Sequence, residues 1–282
     1  MLQLNSHNKT LIFDRPALMG ILNVTPDSFS DGGRFNQMDK ALRHCEQMIA
    51  DGTDFIDIGG CSTRPNNAIA TESEEMERVI PILKTVRKTF PETLVSIDTF
   101  RKNVAEACIN EGAGLINDIS GGLFDKEMLP YIGKNHIPYV MMHCVGTPET
   151  MHQFALSGDI HQTVLDFFKQ QCEVLEAYGE QQIILDPGIG FGKSLEVNYQ
   201  LLSNLSLYRY NDFPVLIGIS RKSLINKVLH TTPDTAENGT TVLNTIALLN
   251  GADILRVHDV KNAREAIELV GSFRNFAANL KS

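Results

Sequence analysis

Arg256 and His258 stand two residues apart in the run ILRVHD (254–259), so on an extended strand both side chains point to one face. A guanidinium beside an imidazole suits an anion with several oxygens, such as a pyrophosphate. Lys222 lies in SRKS, just after the run PVLIGIS (214–220), where a helix is expected to start. A cation there meets the positive end of the helix dipole, so a purely structural lysine fits poorly and a role toward a ligand fits better.

Carboxylates and amides recur in equivalent places. In chain order, ALMGILNV (17–24) carries Asn23 near its end, FIDIGG (55–60) carries Asp57, LVSID (94–98) ends on Asp98, and LINDI (115–119) carries Asn117. PYVMMH (138–143) ends on His143, IILDP (183–187) carries Asp186, PVLIGIS leads into the Ser220-Arg221-Lys222 turn, and ILRVHD carries Arg256 and His258. A buried polar group left unpaired costs about 1–3 kcal/mol. Any one of these residues alone reads as a helix cap or buried partner, but a polar group at every strand end points to a site. No Ser-His-Asp or Cys-His arrangement is visible.

These residues need elements that bring them together. The eight runs are almost continuously apolar, as strands buried on both faces of a parallel sheet are, and each is followed by a segment with helical spacing. Eight such units predict a closed (β/α)8 TIM barrel, one domain over residues 1–282, with the polar strand ends converging on the C-terminal mouth. An open doubly wound sheet gives the same alternation but commonly with fewer strands. Thr71 and Ser73 before EEMERVIPILKTVRKTF, and Asp159 before IHQTVLDFFKQQCEVLEAY, are helix-start signals, and Gly179 ends the second of these segments. LQLNSHNKTLIFDRP reads as a small hairpin closing one barrel end. Three loops stand out by composition: TPDSFSDGGRFN (25–36), CSTRPNNAI (61–69) and GIGFGKS (188–194). The last lacks the GxxxxGK[ST] spacing of a nucleoside triphosphate loop.

Composition limits the alternatives. A chain of 282 residues, 43% hydrophobic, can bury a large core, and a formal charge of −9 argues against a general nucleic-acid or anionic-membrane surface. An anionic ligand would need a local basic pocket. Cys45, Cys61, Cys108, Cys144 and Cys172 are scattered and never in CxxC spacing, which predicts free thiols in a reducing cytoplasm; Cys61 and Cys144 are read as packing residues. Neither an export leader nor an apolar stretch long enough to span a membrane is expected.

Seven blocks in order, MGILNVTPDSFSDGG (19–33), STRP (62–65), VSIDT (95–99), INDISGG (116–122), DPGIGFGK (186–193), GISRKS (218–223) and RVHDV (256–260), resemble the dihydropteroate synthase family over nearly the whole chain. Cys61 before STRP and Asn66 after it depart from the acidic residue and glycine common in that family, which bears on the fine conformation of that loop. The resemblance implies condensation of a dihydropterin pyrophosphate with p-aminobenzoate, without a strong protein nucleophile. It assigns Asp98, Asn117, Asp186 and Lys222 to the pterin; a pterin ring N–H beside an exocyclic amine matches both oxygens of one carboxylate, here Asp186. For Asp57 a pterin contact and an interior hydrogen bond both stay open. The resemblance assigns Asn23, Thr63, Arg64, Arg256 and His258 to the pyrophosphate, with Lys222, Arg256 and His258 as the catalytic set. Phe29, Thr63, Pro65, Phe191 and Ser223 are assigned to the p-aminobenzoate slot; Phe191, between two glycines, is expected to have little local core to anchor. Asn23 is the implied ligand of Mg²⁺, His143 is read as structural, and a homodimer is implied. A methyltransferase domain binding a methylated reduced folate and a catalytically silent pterin-binding barrel are the competing readings. The first needs no pyrophosphate cradle.

Overall fold

A strand that is apolar at every position can be buried on both faces, and the eight runs do form such strands. The computed structural model describes residues 2–6, 9–25, 34–62, 68–147 and 159–279. An antiparallel hairpin, β1 (Leu2–Ser6) and β2 (Lys9–Phe13), precedes the barrel strands β3 (Ala17–Asn23), β4 (Phe55–Gly59), β5 (Leu94–Asp98), β6 (Leu115–Asp118), β7 (Tyr139–Met142), β8 (Ile183–Asp186), β9 (Leu216–Ile217) and β10 (Ile254–Val257). The helices between and after them are α1 (Arg34–Ala50), α2 (Glu72–Thr89), α3 (Lys102–Asn110), α4 (Met128–Asn135), α5 (Ile160–Glu176), α6 (Leu195–Ser203), the short α7 (Ser223–Leu229), α8 (Glu237–Leu249) and α9 (Val260–Asn279). The sheet runs β8-β7-β6-β5-β4-β3-β10-β9, all parallel, and a Leu185–Val215 bridge joins its two edges into a ring. The expected (β/α)8 barrel is the architecture seen.

Local signals act as anticipated. Thr71 and Glu74 form a reciprocal capping box at α2, and Asp159 accepts from the backbone N–H groups of His161 and Gln162 at α5. Two boundaries differ from the sequence reading. Helix α1 already begins at Arg34, inside the segment assigned to the loop, because Gly32 and Gly33 just before it read as turn residues and drew the loop boundary past the helix start. The seventh strand is much shorter than 214–220, because beyond Ile217 the backbone ladder gives way to the Ser220 hydroxyl, which takes the His258 N–H at 3.2 Å.

The barrel interior is divided along its axis. At the N-terminal end Met19, Phe55, Leu94, Leu115, Ile184 and Ile254 form an apolar plug, and the hairpin closes it with buried Leu4 while Phe13 stacks on Phe55 at 5.4 Å. A larger apolar shell lies between strands and helices. Water is thereby excluded below the level at which the polar strand residues begin. The Leu4→Ala substitution should cost about 2–5 kcal/mol in urea unfolding, the usual range for removing a buried leucine. A loss near zero would show that the hairpin does not seal the barrel.

Candidate active site

Parallel register places Asn23, Gly59, Asp98 and Asn117 side by side at the C-terminal ends of β3 to β6. Asp57 lies one pleat deeper on the same face as Gly59 and is fully buried. From β10, on the far side of β3, Arg256 reaches both carboxylates: Nε donates to Asp57 Oδ2 and an Nη to Asp98 Oδ2, each at 2.6 Å. Asn117 Nδ2 donates to the same Asp57 oxygen at 2.9 Å. Asp57 thus serves here as an interior partner. Burial drives the Asp98 carboxyl up to about 7 against the pull of Arg256, with Asp57 adding to the rise. Burial works against the Arg256 charge as well, but the two carboxylates overcome it and raise the guanidinium above its ordinary range.

Arg256 and His258, expected from sequence as a cationic pair, each have partners of their own. The carboxylates of β4 and β5 draw the guanidinium inward, while His258 Nδ1 lies 3.0 Å from Ser220 Oγ at the rim. Alternation along β10 predicted their shared face but carried no information about which partners would claim each side chain.

Asp186 of β8, 7% exposed, accepts the Gly188 N–H at 2.7 Å. Burial raises its carboxyl above the usual range, opposed by Lys222, the Gly188 N–H and Lys193. Lys222 precedes α7 with extended backbone and no side-chain cap. Its ammonium donates to Ile189 O and lies 4.2 Å from the Phe191 ring centroid. Burial lowers it to about 8. Phe191 does have a core to lean on, contrary to expectation: it packs with Phe100 and Phe124 against Ile119, Met142 and Cys144 at the mouth. Those neighbours come from β6 and β7 and are remote in sequence, so the two flanking glycines gave a misleading picture. Ser223 is exposed at the first position of α7. Phe29, Thr63, Arg64 and Pro65 lie outside the described residues.

His143 is buried against the Phe167 ring at 5.2 Å, and burial, reinforced by Lys193, pulls its imidazole down to about 3, so it is neutral and suits a structural role. The thiol of Cys144 is pushed up to about 12 by burial and that of Cys61 is raised for the same first reason, which fits packing residues rather than nucleophiles. Sequence reasoning passed over Asp118. It points away from the barrel interior and accepts from Ser120 N, Ser120 Oγ and Gly122 N at 2.7–2.9 Å and from Tyr139 Oη at 2.7 Å, fixing the turn after Asn117. Its signal was the Asp-x-Ser-Gly-Gly pattern, in which a carboxylate can gather the following N–H groups.

The model of the pterin binding enzyme family matches residues 19–258. The dihydropteroate synthase of Synechocystis sp. is 44% identical over 251 residues, covering 88% of this chain and 86% of the relative. This chain belongs to the dihydropteroate synthase family. Among solved structures, the dihydropteroate synthase of Yersinia pestis with a sulfonamide drug complex superposes with a TM-score of 0.90 at 40% identity, covering 97% of this chain and all of the other. That of Burkholderia cenocepacia complexed with 7,8-dihydropteroate gives 0.87 at 33% identity, covering 99% and 98%.

In this member of the dihydropteroate synthase family the low ammonium pKa of Lys222 has a thermodynamic signature. Between about 8 and 10.5 the unfolded chain holds the proton and the folded one does not, so the lysine's contribution to stability rises with pH. A Lys222→Met variant should be the more stable protein near pH 7, by about 1–3 kcal/mol, with the gap narrowing by pH 9.5. Urea titrations at both pH values check this. A gap independent of pH would mean that Lys222 titrates as it does in water.

Proposed function

We infer that the chain is a transferase that condenses 6-hydroxymethyl-7,8-dihydropterin pyrophosphate with p-aminobenzoate, giving 7,8-dihydropteroate and pyrophosphate in folate biosynthesis. The observation that carries this is the convergence of half-buried Asp98 and buried Asn117 and Asp186 with Lys222 on one mouth, in a barrel whose relative holds 7,8-dihydropteroate. Asp186 accepts the ring N–H and exocyclic amine of the pterin, Asp98 and Asn117 complete the ring's pairing, and Lys222 donates to its carbonyl or a ring nitrogen. Phe191 and Ser223 border the aryl amine slot, and His258 and Asn23 face the pyrophosphate; the family resemblance adds Phe29, Thr63 and Pro65 to the first set and Thr63 and Arg64 to the second. Arg256 contributes to that end of the site while holding Asp57 and Asp98 in place.

The chemistry needs no protein nucleophile. The bond between the pterin methylene carbon and the bridging oxygen breaks, its electron pair leaves with pyrophosphate, and the electron-rich ring carries the resulting positive charge. The aniline nitrogen then supplies its lone pair to form the C–N bond and loses a proton to solvent. Carboxylates around the ring tolerate the cation, and the rim cations stabilise the departing anion.

Mg²⁺ fits the residues present in one respect: Asn23 offers a neutral amide oxygen at a partly exposed strand end, beside Asp98 at the level of Gly59. No cluster of three or more His, Cys, Asp or Glu among the described residues could hold a metal alone. Such a site suits an ion that keeps several waters and takes its other oxygens from substrate phosphates. Bound there through Asn23, Mg²⁺ would neutralise charge on the leaving pyrophosphate. We place the enzyme in the cytoplasm, where its five free cysteines stay reduced. Among the described residues no helix is long and apolar enough to cross a membrane. We also assign a homodimer. Val242, Ile246 and Leu249 on α8 and Leu269, Phe273 and Phe276 on α9 are exposed apolar side chains on two helices that pack together, a surface suited to a second copy.

Purified protein should release pyrophosphate from the pterin substrate at a sustained rate only when p-aminobenzoate and Mg²⁺ are both present. Release independent of the amine would contradict the reaction. Sulfonamides should compete with p-aminobenzoate in steady-state kinetics, since both are flat anilines with an anionic para substituent, and inhibition that excess p-aminobenzoate fails to relieve would place them elsewhere. Calorimetry on Asp186→Ala should show pterin affinity weakened by about 2–5 kcal/mol with the fold retained, the effect of truncating one partner of a buried charged pair. Unchanged affinity would remove Asp186 from the pterin pocket.

A further inference from the structure

Lys193 closes the block DPGIGFGK; its side chain is half-buried, and its ammonium feels the Asp186 carboxylate without pairing with it. Its ammonium donates to three backbone carbonyls: His143 O at 3.0 Å, Gly188 O at 2.8 Å and Phe191 O at 3.0 Å. None of the ion pairs among the described residues involves it. Those three acceptors come from the end of β7 and from two points of the loop after β8, and one ammonium gathers them. His143 follows β7, Gly188 is the first turn residue after β8, and Phe191 is the ring under the Lys222 ammonium.

The loop it grips has little rigidity of its own. Gly188, Gly190 and Gly192 all have positive φ, at 70°, 88° and 66°, so every second residue is one with wide backbone freedom. Asn198 on α6 fixes one further point by accepting the Gly190 N–H at 2.6 Å. At Gly188 the packing is so close that a Cβ would lie 1.8 Å from His143 O. Held this way, Ile189 presents its carbonyl to Lys222 and Phe191 presents its face to the same ammonium. A neutral residue would avoid the desolvation that lowers this ammonium to about 7, so a cation is retained here against an opposing burial cost.

We propose that Lys193 is a positioning residue for the aryl amine slot: its three-carbonyl grip sets where Phe191 stands and, through Ile189 and Phe191, where the Lys222 ammonium stands. The proposal rests on the transferase reading above and on the placement of p-aminobenzoate beside Phe191. It predicts a split between substrates. Of the pterin contacts, Asp98 and Asn117 are held by Arg256 and Asp57 independently of this loop, whereas Asp186 and Lys222 touch it through Gly188, Ile189 and Phe191, so loss of the grip should weaken pterin recognition too, but by less than amine recognition, whose Phe191 wall is gripped directly.

The test compares wild type with Lys193→Met, which keeps the length of the stem and removes the donors, and Lys193→Gln, which keeps two N–H donors without charge. In Lys193→Met the KM for p-aminobenzoate should rise by about tenfold or more, the size of one lost aromatic contact, while pterin pyrophosphate affinity by calorimetry changes by less than about threefold. Lys193→Gln should fall between the two. Partial unfolding alone would lower apparent kcat and leave both substrate constants in place. An ammonium rebuilt by aminoethylation of Lys193→Cys, with wild type treated in parallel as the control for native thiols, should recover most of the amine KM. An unchanged amine KM in Lys193→Met, or equal losses for both substrates without recovery on aminoethylation, would overturn the proposal. So would failure of both the Met and Gln variants to fold, which would make Lys193 a folding residue. Wild type that releases no pyrophosphate would instead contradict the transferase reading, so the two failures are distinguishable.

Discussion

The mouth of this barrel depends on a single guanidinium shared by one buried and one half-buried carboxylate. Asp57 lies fully buried above an apolar plug, in a region where an unpaired carboxylate would be strongly disfavoured, and Asp98 stands one pleat nearer the rim. Arg256 binds both from β10, two strands from β4 and three from β5, and its planar fork lets one cation satisfy two acceptors that come from different strands. Asn117 completes the set by donating to Asp57. The ring of polar groups around the site is thereby fixed before any ligand arrives. The apolar plug beneath makes that fixation matter, because excluded water leaves the charges only each other for compensation.

The other cations divide the remaining work. Lys222 and Lys193 are both held by backbone carbonyls in the loop after β8, and burial lowers both ammonium groups, to about 8 and about 7. Each keeps capacity for electrostatic response that Arg256, saturated by carboxylates, has largely given up. Proximity of these lowered ammonium groups to the raised carboxyl of Asp186 gives the mouth a set of groups whose charges are sensitive to a bound ring. A pterin brings its own N–H donors to Asp186 and its own acceptors to Lys222, adding to the Gly188 and Ile189 contacts those groups already make.

Much of this was legible in the chain. Near-continuous apolar runs gave the parallel strands, because burial on both faces leaves no room for alternation, and polar residues at the run ends marked the mouth. Capping at Thr71 and Asp159 was readable because N-caps act through neighbours a few residues away. What escaped depends on partners remote in sequence. Arg256 and Asp57 are 199 residues apart, so nothing local told that the guanidinium would turn inward. Phe191 found its packing partners on β6 and β7 rather than beside itself. Lys193 was invisible as a grip because its acceptors are main-chain carbonyls, which every residue carries and no motif distinguishes. The shortening of the seventh strand likewise came from one side chain, Ser220, replacing a ladder bond.

The central role given to Arg256 is most directly tested by a double-mutant cycle in folding stability with Arg256→Met, Asp57→Asn and the double variant. If the guanidinium is what makes burial of Asp57 tolerable, removing either partner should destabilise the protein by about 3–5 kcal/mol and removing both should cost less than the sum by more than about 1 kcal/mol. Additivity within about 0.5 kcal/mol would contradict the account, because it would mean that the two groups are buried without depending on one another.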